Sequence, residues 1–211
     1  MFTDRIQAGK LLAEKLRKYQ DKEGVILAVP RGGVPIAYAV AKELGMPLDL
    51  VLTKKIGHPT NREFAIGAVS LTDSFVIPYP GVSQFYIDRE IKTIRERLKE
   101  MYRKFMGNKE PEVLTDKTVI VIDDGIATGN TLMGTISMLR KDNPAKIVIA
   151  VPVASQSAVR KLSRAVDELI TVLIPEEFYG VGAFYENFEQ VSDEEVMYYL
   201  DKWKRDIKKA G

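Results

Sequence analysis

Cysteine is absent from this 211-residue chain, and histidine occurs once, at His58. The first absence excludes disulfides, thiolate nucleophiles and cysteine metal sites; the second excludes a multi-histidine metal centre. Net charge is also scarce. The 31 basic and 29 acidic residues leave +2 at pH 7, so no broad basic face for nucleic acid or membrane is expected. No apolar run approaches transmembrane length, and the N-terminal MFTDRIQAGK lacks the apolar core of a signal peptide. A cytoplasmic location, with neither a membrane nor a nucleic-acid partner, is therefore the expectation. Internal repeats and low-complexity linkers are missing too. With 45% hydrophobic and 28% charged residues, the composition is that of an ordinary globular protein, and the length suits a single α/β domain over 1–211.

What is there is an alternation of apolar runs and amphipathic stretches. Ile6, Leu11, Leu12, Leu16 and Tyr19 fall near helical spacing. Val25 to Val29 is a short apolar run that leads through Pro30-Arg31-Gly32-Gly33 into a helix from about Val34 to Leu44, closed by Gly45. Leu48 to Thr53 predicts a strand ending at Lys54-Lys55, and Phe64 to Leu71 with Phe75 to Ile77 predicts a hairpin. From Ser83 to Met106 the residues Ile87, Ile91, Ile94, Leu98, Met101 and Phe105 form an apolar stripe on a long helix. Val119 to Ile122, Ile147 to Val153 and Glu168 to Ile174 predict three further strands, with helices after the first two. Ser192 and Glu195 form a capping-box pattern ahead of a C-terminal helix. Strands alternating with helices imply a doubly wound, mostly parallel α/β sheet, whose sites lie beyond the carboxyl ends of the strands.

One such end is Val119-Ile120-Val121-Ile122-Asp123-Asp124-Gly125-Ile126-Ala127-Thr128-Gly129-Asn130-Thr131. An apolar strand delivers two adjacent carboxylates to the sheet edge, which is costly unless they hydrogen-bond or face a cation. A glycine-bearing turn with two threonine hydroxyls follows, and a helix start points free N–H groups and its positive dipole end into the loop. The chemistry implied is a phosphate in the loop with a polyol or metal beside the acids. A solvated turn is the competing reading. The glycine spacing is neither that of the dinucleotide fingerprint nor that of a Walker A loop.

This stretch closely resembles the 5-phosphoribosyl-1-pyrophosphate (PRPP) motif of the type I phosphoribosyltransferases. The resemblance implies that Asp123 and Asp124 hold the ribose hydroxyls. It implies that Gly125, Ala127, Thr128, Gly129, Asn130 and Thr131 wrap the 5′-phosphate. By the same resemblance, Arg31, Gly32 and Gly33 occupy the family's pyrophosphate loop, their glycines turning backbone N–H groups to an anion. Lys54 and Lys55 stand where the family places a basic residue on the pyrophosphate, so Arg31, Lys54 and Lys55 are the implied catalytic residues. Gly57 to Arg62 would be a mobile lid. The segment Ile174-Pro175-Glu176-Glu177-Phe178-Tyr179-Gly180-Val181-Gly182 is similar to the hood over the nucleobase, with hood elements at about 174–191 and Phe178 or Tyr179 stacking on the base. Asp123, Asp124 and Glu186 would lie near a magnesium ion. The helix at about 83–107 looks like a subfamily insertion. The implied function is Mg2+-dependent transfer of the phosphoribosyl group to a nitrogenous base, by a homodimer whose small-molecule partners are PRPP and a nucleobase-like acceptor. Two alternatives stand beside it: a non-catalytic PRPP- or nucleotide-sensing regulator, and a PRPP synthetase, whose chains usually pair two such domains. Where 6-oxopurine enzymes carry an aspartate before the motif's Thr-Gly, this chain has Ala127.

Overall fold

The computed structural model describes residues 1–210. Its central sheet holds five parallel strands in the order β2-β1-β6-β7-β8, and a separate three-stranded antiparallel sheet is ordered β3-β4-β5. The strands are β1 (Gly24–Ala28), β2 (Leu48–Leu50), β3 (Thr53–Gly57), β4 (Ala65–Ser70), β5 (Ser74–Val76), β6 (Thr118–Ile122), β7 (Lys146–Val153) and β8 (Glu168–Leu173). The helices are α1 (Arg5–Leu16), α2 (Gly33–Leu44), α3 (Gln84–Met106), α4 (Asn130–Leu139), α5 (Gln156–Leu162) and α6 (Asp193–Ala210).

The apolar runs are explained by burial on both faces. Alternate residues divide between two cores: Ile26, Ala28, Ile120, Ile122, Val148 and Ala150 pack with Leu12 and Leu16 of α1, Ile36 of α2 and Leu200 of α6. Val25, Leu27, Val119, Val121, Ile147 and Ile149 pack with Leu132 and Ile136 of α4 and Leu162 of α5. This is the doubly wound arrangement. From β1 the chain winds outward to β2, and from β6 it winds the other way to β7 and β8, so the switch point lies between β1 and β6. Their register pairs Ala28 with Ile122, and the N–H of Val29 donates to the Ile122 carbonyl at 2.8 Å. The loops leaving the two strands therefore start side by side.

Caps hold where the sequence placed them. Gly45 is left-handed with φ 65°, and Ser192 and Glu195 exchange the two capping-box hydrogen bonds at 2.9 and 3.2 Å. Two expectations are corrected. The strand over Leu48 to Thr53 ends at Leu50, and Thr53 begins a new strand in the antiparallel sheet, so Lys54 and Lys55 lie inside a strand rather than at its end. The Val51 N–H still donates to Ala28 at 3.0 Å; beyond it the chain takes β4 as its partner instead of β1. On α3 the stripe turns away from Met101, which is 40% exposed, toward Tyr102. The Tyr102 hydroxyl donates to buried Asp49 at 2.8 Å, while Ile87, Ile94, Leu98 and Phe105 of the stripe are buried as expected. No described helix is long and apolar enough to cross a membrane.

Candidate functional site

The exit of β6 carries the acids. Asp123 Oδ1 accepts the backbone N–H of Asp124 at 2.8 Å. Asp124 Oδ2 accepts both Nε (3.2 Å) and Nη2 (2.9 Å) of Arg5. Among the described residues, Asp123 Oδ2 and Asp124 Oδ1 have no hydrogen-bond partner, so two neighbouring carboxylates each present one unengaged oxygen. Burial raises the pKa of the Asp123 carboxyl, and the neighbouring charge of Asp124 raises it further. Burial also raises that of Asp124, against the lowering effect of the Arg5 guanidinium. Hydroxyl donors or a cation at this pair would favour the charged form of both acids.

Arg5 reaches the site because the chain termini are stitched together. Phe2 forms a parallel bridge with Tyr185. The Phe2 N–H donates to Phe184 and the Glu186 N–H to Phe2, both at 2.8 Å. This lays the start of α1 against residues 184–189. Arg5 then spans three groups: Asp124, the Glu189 carbonyl at 2.8 Å, and the Phe188 ring, whose centroid lies 4.0 Å from the guanidinium carbon. The Tyr185 hydroxyl donates to the Asp124 carbonyl at 2.7 Å.

The loop after the acids is pinned from the β7 side. The Ile126 N–H donates to Val153 and the Ser155 N–H to Ile126, each at 2.9 Å, and the Ser155 hydroxyl donates to the Ala127 carbonyl at 2.6 Å. Gly125 is needed because a Cβ there would lie 2.6 Å from Val181. Gly129 takes φ 70° and hands over to α4, whose start has no side-chain cap. Apart from a long 3.5 Å bond from the Asn130 N–H to Thr128 Oγ1, its first N–H groups and dipole end face the loop without a side-chain partner, the arrangement that favours an anion. Thr128 and Asn130 are exposed beside it, and Lys161 of α5 donates to Asn130 Oδ1.

The loop after β1 meets this site by close packing. A Cβ on Gly33 would lie 2.6 Å from the Ile122 carbonyl oxygen, and one on Gly32 would lie 1.9 Å from Asp124 Oδ2. Neither glycine was expected in that role. The Gly33 N–H donates to Val29 at 3.0 Å, so it does not face an anion; the missing side chains make room for β6 and its acids. The Pro30–Arg31 peptide is cis.

Several expected partners are held elsewhere. Arg31 donates through Nε to Asp193 at 2.6 Å, and Lys104 reaches the other oxygen of that carboxylate at 2.6 Å. Lys54 and Lys55 are exposed on β3; Lys55 pairs with Glu63 at 2.8 Å. Residues Gly57 to Arg62 cap the β3–β4 hairpin and are tied to α3, Arg62 to Glu90 and Tyr86 to the Gly57 carbonyl, each at 2.7 Å. His58 is engaged by Thr60 and stands edge-on to Tyr79. Phe178 packs with Phe184, its ring centroid 5.5 Å away, while Tyr179 is 80% exposed. Glu186 is exposed. Among the described residues no three or more His, Asp or Glu side chains gather as a metal site, so Glu186 does not join Asp123 and Asp124. Arg5 and Ser155 were not anticipated, and Val181 and Tyr185 were expected only as parts of the hood. Ser155 alone has a local signal, as a serine before a helix; it accepts the Ala158 N–H at 3.1 Å.

A solved structure, TT1426 from Thermus thermophilus, is 37% identical to this chain, superposes with a TM-score of 0.85, and is matched over 96% of this chain and 99% of its own. A Mycobacterium tuberculosis protein provisionally named a phosphoribosyl transferase is 35% identical over 216 residues, covering 100% of this chain and 49% of the relative. The chain thus spans about half the length of the curated relatives it matches first. The adenine phosphoribosyltransferase of Yersinia enterocolitica is 31% identical over 151 residues, 61% of this chain and 75% of that enzyme. The phosphoribosyl transferase domain family matches residues 4–185, from the helix that bears Arg5 to the tyrosine bonded to Asp124, and the chain belongs to that family.

Proposed function

We propose that this protein binds PRPP and, with magnesium, transfers its phosphoribosyl group to a nitrogenous base with release of pyrophosphate. The observation that carries this is the pair of unengaged oxygens, Asp123 Oδ2 and Asp124 Oδ1, beside the uncapped start of α4. A vicinal diol next to a phosphomonoester is the chemistry that matches both halves. Asp123 and Asp124 accept the ribose 2′- and 3′-hydroxyls. The loop from Gly125 to Thr131 takes the 5′-phosphate on its backbone amides and on the hydroxyls of Thr128 and Thr131. As the bond from ribose C1 to the pyrophosphate oxygen breaks, positive charge develops at C1 and a base nitrogen attacks it. Arg31, with Lys54 or Lys55, stabilises the negative charge that leaves. In this reading Arg31 must first release Asp193. Residues 174–191 close over the acceptor, with Phe178 or Tyr179 against the base.

Two carboxylates, one of them already paired with Arg5, are too few for an all-protein metal cage. They fit magnesium held mainly by ligand oxygens with Asp123 as a contributing carboxylate. When bound, the ion neutralises charge on the departing pyrophosphate. We further assign the chain a homodimeric state and a cytoplasmic location.

The deciding assay measures pyrophosphate release from PRPP against a panel of bases, adenine included, with and without magnesium. Release that depends on both a base and magnesium supports the proposal; PRPP binding without release with any base makes the protein a sensor. Titration calorimetry of Asp123→Asn/Asp124→Asn, with the fold checked by circular dichroism, tests the site. Unchanged PRPP affinity in the folded double variant sinks it. Light scattering that finds only a 23.7 kDa particle refutes the dimer.

A further inference from the structure

Among the described residues, Arg5 is the one cation that touches the acid pair, and the proposed chemistry has not used it. Its side chain is 11% exposed and that of Asp124 18%, so water screens the pair weakly. Both of its bonds to Asp124 fall on Oδ2, leaving Oδ1 open. The third bond, to the Glu189 carbonyl, and the Phe188 ring beneath the guanidinium fix its plane from the other side. Gly32 packs against the same carboxylate. Asp124 is thus gripped through one oxygen while the other stays presented.

We infer that Arg5 is a positioning residue of the ribose site, which fixes Asp124 in the orientation that accepts a ribose hydroxyl and offsets its charge beside an anionic ligand. This rests on the PRPP reading above. The chemistry asks for such a group. PRPP brings several negative charges to a site that already holds two carboxylates, and a carboxylate beside a second one is best kept as a fixed acceptor by a two-pronged guanidinium. Because Arg5 also holds Glu189 and Phe188, the same side chain joins the ribose acids to residues 184–189, which fold back over the site.

The test separates ribose recognition from phosphate recognition. Wild type, Arg5→Ala and Arg5→Lys of the full chain are titrated with PRPP plus magnesium, with ribose 5-phosphate, and with inorganic phosphate followed by NMR. Arg5→Ala is expected to weaken PRPP and ribose 5-phosphate by about 10- to 100-fold, the order for removing one close unit charge from a partly buried site. Inorganic phosphate, held by the α4 loop alone, should stay within about twofold, a difference that a general loss of folding does not produce. Arg5→Lys keeps the charge without the fork and should recover roughly half of the logarithmic loss. The inference is overturned if Arg5→Ala binds PRPP as wild type does, or if phosphate affinity falls in the same proportion. It is overturned together with the PRPP reading if wild type binds no PRPP, whereas equal PRPP binding by wild type and Arg5→Ala removes only the role of Arg5.

Discussion

A Cβ added to Gly32 would lie 1.9 Å from the Asp124 Oδ2 atom that Arg5 holds. Gly32 has φ −58° and ψ −33°, a conformation open to any residue, so contact rather than backbone freedom demands glycine here. Gly32→Ala should push the Asp124 carboxylate off Arg5 and cost about 1–3 kcal/mol, as overpacking does. Urea unfolding reads the stability and calorimetry the PRPP affinity, and both should fall together. A variant as stable as wild type, with unchanged affinity, would show that Asp124 moves freely.

Asp193 holds Arg31 and Lys104 at once, and those two cations keep its carboxyl below the usual range. Asp193→Asn removes the competitor for Arg31. Because Arg31 is exposed and Asp193 partly so, the change is worth about 0.2–1 kcal/mol. PRPP should therefore bind about 1.5- to 5-fold more tightly, with the gain absent in an Arg31→Ala background. Weaker PRPP binding by Asp193→Asn would mean that Asp193 orients Arg31 rather than detaining it.

Hypoxanthine and guanine should be poor acceptors. Ala127 replaces the aspartate of the 6-oxopurine enzymes, and its side chain neither accepts nor donates a proton. Positioned acid–base groups contribute about 10²–10⁴ in rate. Steady-state kinetics with both purines checks this; a kcat/KM of about 10⁴ M⁻¹s⁻¹ or more for either contradicts it.

Far from the site, Glu168 accepts from Tyr19 at 2.5 Å and Lys146 at 2.8 Å and pairs with Lys18. Burial works to raise its pKa, but Lys146, Lys18 and Tyr19 outweigh burial and bring it down to about 2. A depressed folded value contributes stability above the unfolded value, near ~4.3. That contribution is lost as the pH falls through about 2. Discounted for partial exposure, Glu168→Gln should cost roughly 1–2 kcal/mol at neutral pH. Urea titrations should show the gap between the variant and wild type closing as the solution is acidified across that window. A gap that is constant with pH would assign the loss to packing.

Much of this protein was legible in its order of residues. Val119 to Ile122 read as a buried strand because both faces of a doubly wound sheet are covered, and Asp123-Asp124 followed by Gly129 marked the site because strand, turn and helix start are local events. The Ser192–Glu195 cap spans three residues and needed no fold to predict it. Arg5 and Asp124 are separated by 119 positions and Arg31 and Asp193 by 162. No periodicity or turn rule couples residues so far apart. Which cation grips an acid, and which is drawn away from the loop, was decided when Phe2 paired with Tyr185 and α6 docked beside the β1 exit. The sequence by itself determined where the acid pair, the glycine turn and the start of α4 fall along the chain, because helix starts and glycine turns follow from neighbouring residues. Only the tertiary structure decided that Arg5 reaches Asp124 while Arg31 rests on Asp193, because side-chain charges choose partners by distance in space.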